Sequence, residues 1–286
     1  MRQTHGVEHG LPVFADKMRD RLTFPRSWES GNYTDFAEWR NQAREFFQER
    51  LLAPPPKAPF DAEIIGEEDR GTYVARRIIF NLTADSRVLA YLCIPKAAMK
   101  TGAKTRAALL LHDHGARFDI GKEKVIRPFD EPDERLTSSE QWVNECYGGR
   151  YIGDELAKRG WITFATDMFF WSDRGVPRDD PKPYPHMNPI GCNLFFLGSS
   201  LAGLIAYEDL RSLDFLASQP NVDPTRIAAM GLSVGSFRTW QISALDDRIA
   251  AGCAICWMTG VRHQMRPGVN LAGGTSFPMI HPGLYN

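Results

Sequence analysis

RIAAMGLSVGSFRTWQISAL, residues 226–245, decides the reading of this chain. It begins with a short apolar run, turns through Gly231-Leu232-Ser233-Val234-Gly235, and continues with Phe237, Trp240 and Leu245 spaced as on one side of a helix. A strand that reverses into a helix at a serine needs backbone angles that an L-residue resists. The flanking glycines remove Cβ atoms where strand and helix come nearest. The pattern predicts Ser233 as a nucleophile with its Oγ in the open. It also aims the Val234 N–H, at the start of the helix, toward a developing oxyanion. A plain tight turn between strand and helix is the other reading of the pentapeptide.

Outward from the elbow, AALLLH (107–112), WITFATD (161–167), RIAAMG (226–231) and IAAGCAICW (249–257) are short, nearly continuous apolar runs. Such runs mark strands buried on both faces of a parallel sheet. Helical segments near 149–159, 200–219 and 234–245 separate them, so the expected fold is a doubly wound, mostly parallel α/β sheet. Upstream, TYVARRIIFNL (72–82) and SRVLAYLCIP (86–95) alternate as in an antiparallel hairpin. Residues 1–60 read as a polar helical extension closed by Pro54-Pro55-Pro56, and 61–286 as the main domain. Two long insertions, 113–148 and 168–199, follow C-terminal strand ends, the edge at which open α/β sheets bind ligands. The second is rich in aromatics and prolines and reads either as a pocket cap or as a solvated loop.

His112-Asp113-His114-Gly115-Ala116 follows a strand end where a second oxyanion donor is needed, and the Ala116 N–H is the candidate. Two histidines at i and i+2 could also hold a metal, but further ligands are not evident nearby. No metal is therefore expected, and bonding of the loop by His112, Asp113 and His114 is the third reading. His114, Asp167, Arg238 and Trp257 are candidates to line the pocket. Against this, Asp167 could only fix a loop, Arg238 lie on the solvated helix face, and Trp257 fill core.

The 286 residues are 43% hydrophobic and 24% charged, with a formal net charge of −1. That balance suggests neither nucleic acid nor an anionic membrane surface as partner. No secretory leader is evident at the N-terminus, so a cytoplasmic protein is expected. A nicotinamide-dependent enzyme would need a Gly-rich fingerprint after a strand, which is lacking, and no cofactor is expected. The five cysteines are scattered. Cys253 and Cys256 form a C-x-x-C inside an apolar strand run, where alternation puts the thiols on opposite faces, so buried structural cysteines are expected rather than a redox pair.

LLLHDHGARFDIGKEK, WITFATDMFFWSDRG, RSLDFLASQPNVDPTRIAAMGLSVGSFRTWQISALDDRI and ICWMTG, in that order, resemble the dienelactone-hydrolase-like and acetyl-xylan-esterase-like α/β-hydrolases. The resemblance covers residues 33–286. It implies a serine hydrolase of esters, often acyl groups on carbohydrates or other small molecules. Dienelactone hydrolases proper carry cysteine at the position of Ser233, so the serine favours ordinary ester hydrolysis. The family order of nucleophile, acid, histidine is not met. No Asp or Glu follows Asp247, and Asp246 and Asp247 lie about 20 Å along the helix from Ser233. His263 and His281 precede the point where family members enter their last strands. The chain thus reads as truncated before acid and base, leaving His281 as a candidate base in a Ser233–His281 dyad. The alternative is a catalytically impaired or vestigial binding protein. Either way IAAGCAICW becomes an apolar edge strand, expected to pair with another chain or to be covered by 258–286.

Overall fold

The computed structural model describes residues 13–175, 184–257, 260, 279–281, 283 and 284. Helices α1 (Val13–Asp20) and α2 (Phe36–Gln48) come first. Strands β1 (Glu63–Asp69), β2 (Tyr73–Thr83) and β3 (Ser86–Pro95) follow, then α3 (Lys96–Thr101) and β4 (Thr105–Leu111). Next are α4 (Asp133–Cys146), α5 (Ile152–Lys158), β5 (Ile162–Thr166), α6 (Tyr184–Phe196) and α7 (Leu201–Ala217). The series ends with β6 (Val222–Leu232), α8 (Val234–Leu245) and β7 (Ile249–Ile255).

The seven strands form one sheet in the order β1-β2-β3-β5-β4-β6-β7. Strands β5, β4, β6 and β7 are mutually parallel, whereas β1, β2 and β3 are joined in antiparallel fashion and β3 pairs antiparallel with β5. The expected hairpin is β2–β3; β1 beside it was not read from the sequence, because EIIGEED is more charged than a buried strand. The period of two in the central strands sorts their side chains to two cores. Ala107, Leu109 and Leu111 of β4 face Leu213, Phe215 and Leu216 of α7 and Ile242 of α8, while Ala108 and Leu110 face Val125, Ile126 and Ala157 on the other side. Helices therefore cover both faces of the parallel strands, as a doubly wound sheet requires.

The N-terminal helix α2 docks on this frame. Phe47 is buried against Ala206 and Leu245, and Arg44 bonds both the Ala244 carbonyl and the Asp247 carboxylate. The 113–148 insertion carries α4 and a short 3₁₀ turn at Lys122–Lys124; the 168–199 insertion carries a 3₁₀ turn at Ser172–Arg174 and α6. No single helix among the described residues is long and apolar enough to cross a membrane.

Among the described residues, one end of the sheet carries no further strand. Strand β7 pairs with β6 on one side, and Ala250, Ala251, Gly252 and Cys253 are exposed. Apolar cavities of ≈ 420 Å³ and ≈ 630 Å³ flank it, the first against α5 and the second against α2 and α8. Cys253 and Cys256 are free and exposed, not buried. The expectation failed because it treated the apolar run as interior, whereas the run is an edge.

Candidate active site

Ser233 sits between β6 and α8 at φ 55°, ψ −119°, a conformation costly for any residue with a Cβ. Tight packing imposes it. A Cβ on Gly231 would lie 2.3 Å from the Gly235 carbonyl carbon, and one on Gly235 would lie 2.0 Å from the Leu111 carbonyl oxygen. Only glycine lets helix α8 start this close to β6 and β4. The Ser233 N–H donates to the Ile255 carbonyl at 2.8 Å, tying the turn to the end of β7. Ser233 is half-buried, and Val234 opens α8 in a buried position.

The turn after β4 lies against the same spot, since the Gly235 position also faces the His112 carbonyl. His112 is fully buried. Its Nδ1 pairs with the Asp113 carbonyl at 2.9 Å and must donate, and its Nε2 accepts from the Met168 N–H at 2.9 Å. Burial, with Arg238 and Lys124 nearby, holds it well below the usual histidine range and therefore neutral. His114 Nδ1 accepts from the Ala116 N–H at 3.0 Å, which leaves Nε2 as the protonated nitrogen of the neutral ring. Burial and the Lys124 charge push His114 down to about 4, and its ring packs against Phe118 and Trp171. Both nitrogens of His112 are thus engaged within the protein, and the His-x-His pair has no arrangement to share a metal.

Beyond these, the structure assigns other roles to the pocket candidates. Arg238, expected at the surface of the elbow helix, is buried and makes a bidentate pair with Asp209 of α7 at 2.6 and 2.9 Å. Asp167 is also buried, accepting from the Lys122 main chain and ammonium at 2.8 Å each. Both brace the layer beneath the strand ends. Trp257 is half-buried with its ring 5.4 Å from Phe237. His281 is buried between Phe47 and Phe237, its Nδ1 3.4 Å from Ser200 Oγ. Among the described residues its Nε2 has no partner, so no bond joins it to Ser233. Burial alone pushes His281 down to about 4. His263 lies outside the described residues.

Sequence reasoning missed a charged cluster under the site. The Lys122 ammonium lies 2.7 Å from Glu123, 2.8 Å from Asp167 and 2.6 Å from Asp173, and Arg135 reaches Asp173 at 2.7 Å. These carboxylates raise Lys122 well above its ordinary range, while burial among like charges pushes Asp167 up to about 7. Glu123, Asp167 and Asp173 have the spacing of a metal cage, but the ammonium occupies their centre. Gly-Lys-Glu-Lys at 121–124 carries no local signal of burial, since such residues are rarely interior unless paired. The cluster staples the two insertions together, joining 122–123 to 167–173.

No family model matches the chain. Over 208 residues it is 28% identical to YtaP of Bacillus subtilis (strain 168), a protein provisionally named a hydrolase, covering 72% of this chain and 61% of that protein. A solved structure from Bacteroides fragilis NCTC 9343, provisionally described as an acetyl xylan esterase, superposes with a TM-score of 0.69 at 17% identity, over 94% of this chain and 68% of that one. The chain has the α/β-hydrolase fold. A glucuronoyl esterase from Solibacter usitatus shares this α/β-hydrolase architecture at a TM-score of 0.51 and 15% identity, over 82% of this chain and 62% of that one. The chain spans 61% of the length of the curated relative it matches.

Proposed function

We propose that this α/β-hydrolase cleaves carboxylic esters of small molecules or carbohydrates, with Ser233 as nucleophile. The observation that carries the reading is the backbone of Ser233 itself. Its positive φ is maintained only because Gly231 and Gly235 permit an approach that any Cβ would block. Strain of this kind persists where the surrounding structure enforces it, and here it lifts one hydroxyl to the mouth of a strand-to-helix turn. The hydrolase and esterase names of the similar proteins support the same chemistry.

In this reading Ser233 Oγ attacks the ester carbonyl, and the Val234 N–H at the N-terminus of α8 donates to the oxyanion. The C–O bond to the leaving group breaks, and the proton lost by Ser233 ends on that oxygen so that it departs as the alcohol. Water then releases the acyl group as the acid and restores the Ser233 hydroxyl. A second reading, a catalytically impaired homologue, is favoured by one observation: His281 bonds toward Ser200 and not to Ser233. A serine without a base to take its proton retains only what binding and the oxyanion hole provide.

Turnover of p-nitrophenyl acetate and labelling by a fluorophosphonate, compared between the wild type and Ser233→Ala, separate the two. Loss of both in the variant is expected. Labelling confined to the wild type with negligible turnover would select the impaired homologue, and equal behaviour in both proteins would remove Ser233 from any role.

We also propose that the β7 edge pairs with another copy of the chain. Its exposed run Ala250-Ala251-Gly252-Cys253 is uncharged, and it has apolar cavities on either side. Sedimentation showing only monomer at high concentration would rule this out.

A further inference from the structure

Beneath the turn at 113–116 lies a buried lysine that the reaction above does not use. Lys124 is fully buried, and its ammonium donates to the Asp113 carbonyl at 3.1 Å and the His114 carbonyl at 3.0 Å. The Asp113 carboxylate lies 3.7 Å away and is held by the Trp142 and Tyr147 side chains through its other oxygen. Burying an ammonium is expensive, and a carboxylate beyond hydrogen-bond reach is a weak return for it. Lys122, two residues earlier, is surrounded by carboxylates at 2.6–2.8 Å. What Lys124 secures instead is the orientation of two successive peptide groups.

In a trans peptide the C=O and the following N–H point in opposite directions. Gathering the carbonyls of Asp113 and His114 onto one ammonium therefore turns the N–H groups of His114 and Gly115 to the opposite side. The Trp171 indole N–H, 3.1 Å from the His114 carbonyl, holds the second peptide from another direction. The Ala116 N–H is spent within the turn, on His114 Nδ1. Among the described residues no acceptor is bonded to the Gly115 N–H. Gly115 has φ +57°, and a Cβ there would lie 2.4 Å from the Trp142 ring. The turn thus tolerates only glycine at the position whose amide Lys124 fixes. It starts where the elbow packs, since Arg238 Nη1 approaches the His112 carbonyl at 3.4 Å and Gly235 abuts Leu111.

We propose that Lys124 is a positioning residue for the oxyanion hole: by pinning the carbonyls of Asp113 and His114 it presents the Gly115 N–H, in place of that of Ala116, as the second donor. This rests on the assignment of Ser233 as nucleophile. The fluorophosphonate reaction probes it directly. The Ser233 Oγ–P bond forms, the P–F bond breaks, fluoride leaves, the serine proton passes to solvent, and the phosphoryl oxygen occupies the hole.

Lys124→Met keeps the length of the side chain and removes its donors. The maximal labelling rate is expected to fall at least about tenfold while the half-saturating probe concentration stays within about twofold. An unchanged maximal rate would overturn the proposal, as would a parallel loss of rate, probe affinity and unfolding midpoint, which marks a purely structural lysine. A second measurement uses the wild type and so is independent of how the variant folds. With selective ¹⁵N labelling of glycine and alanine, phosphonylation should move the Gly115 amide proton downfield and leave that of Ala116 in place; the reverse sinks the assignment. Labelling that depends on Ser233 but not on Lys124 defeats this inference alone. Labelling equal in the wild type and Ser233→Ala defeats the serine reading and this inference with it.

Discussion

The elbow and the β7 edge, joined by the bond from the Ser233 N–H to the Ile255 carbonyl, are opposite kinds of structure. At the elbow three chain segments meet at distances that admit no side chain. At the edge, among the described residues, one chain segment has a neighbour on one side only and exposed residues along most of its length. The first region is determined by its own packing. Among the described residues, the second leaves backbone groups and apolar surface unpaired. Strain can be stored where neighbours over-determine a conformation, and cannot where the chain is free to relax. The proposed nucleophile, Ser233, accordingly lies in the first region.

The contrast can be broken most forcefully at Gly235. Gly235→Ala places a methyl 2.0 Å from the Leu111 carbonyl, and the expected loss exceeds about 4 kcal/mol, the range of exceptional substitutions. Chemical denaturation checks it, and an ordinary loss would mean that α8 and β4 are less closely apposed. Next in size is Lys122→Met, which leaves Glu123, Asp167 and Asp173 without their ammonium. Removing one partner of a buried ionic group costs about 3–5 kcal/mol, readable as a lower unfolding midpoint with both insertions loosened in hydrogen exchange.

Acid sharpens the comparison further. His281 is held near 4 by burial against an ordinary 6.5. The unfolded chain therefore binds a proton that the folded chain refuses at pH 4–6.5, so stability is fully present above pH 6.5 and is lost as pH falls through that window. His281→Gln should remove about 2–3 kcal/mol of the loss between pH 7 and pH 4.5. Parallel pH curves for the two proteins would show that His281 already protonates when folded. The smallest expected effect belongs to the edge. Ala251→Lys, on an exposed position of β7, should change stability by no more than about 0.5 kcal/mol while lowering self-association in sedimentation. A large loss of stability would mean that β7 is not an edge.

Much of this architecture was legible in the chain. Continuous apolar runs identified β4, β5, β6 and β7, and the two-residue alternation of TYVARRIIFNL and SRVLAYLCIP identified the β2–β3 hairpin. The G-x-S-x-G pentapeptide located the strained serine, because a glycine required by close approach is visible as a letter. Strand β1 escaped because a strand at the outer edge can be charged. The burial of Arg238 and Asp167 escaped for a related reason, although Asp167 does fix a loop, one of the readings its position offered. A polar residue in sequence reads as exposed, and only a partner distant in the chain makes its burial affordable; for Arg238 that partner is Asp209 and for Asp167 it is Lys122.

The sequence by itself determined the layered α/β plan and the position of the sharp turn, since periodicity and obligatory glycines are local properties. Tertiary structure alone decided which charges are buried, which tautomers His112 and His114 adopt, and which amides of the turn at 113–116 are already engaged. Each of these depends on atoms brought together from segments far apart, and the energy of a buried polar group is set by what it meets there.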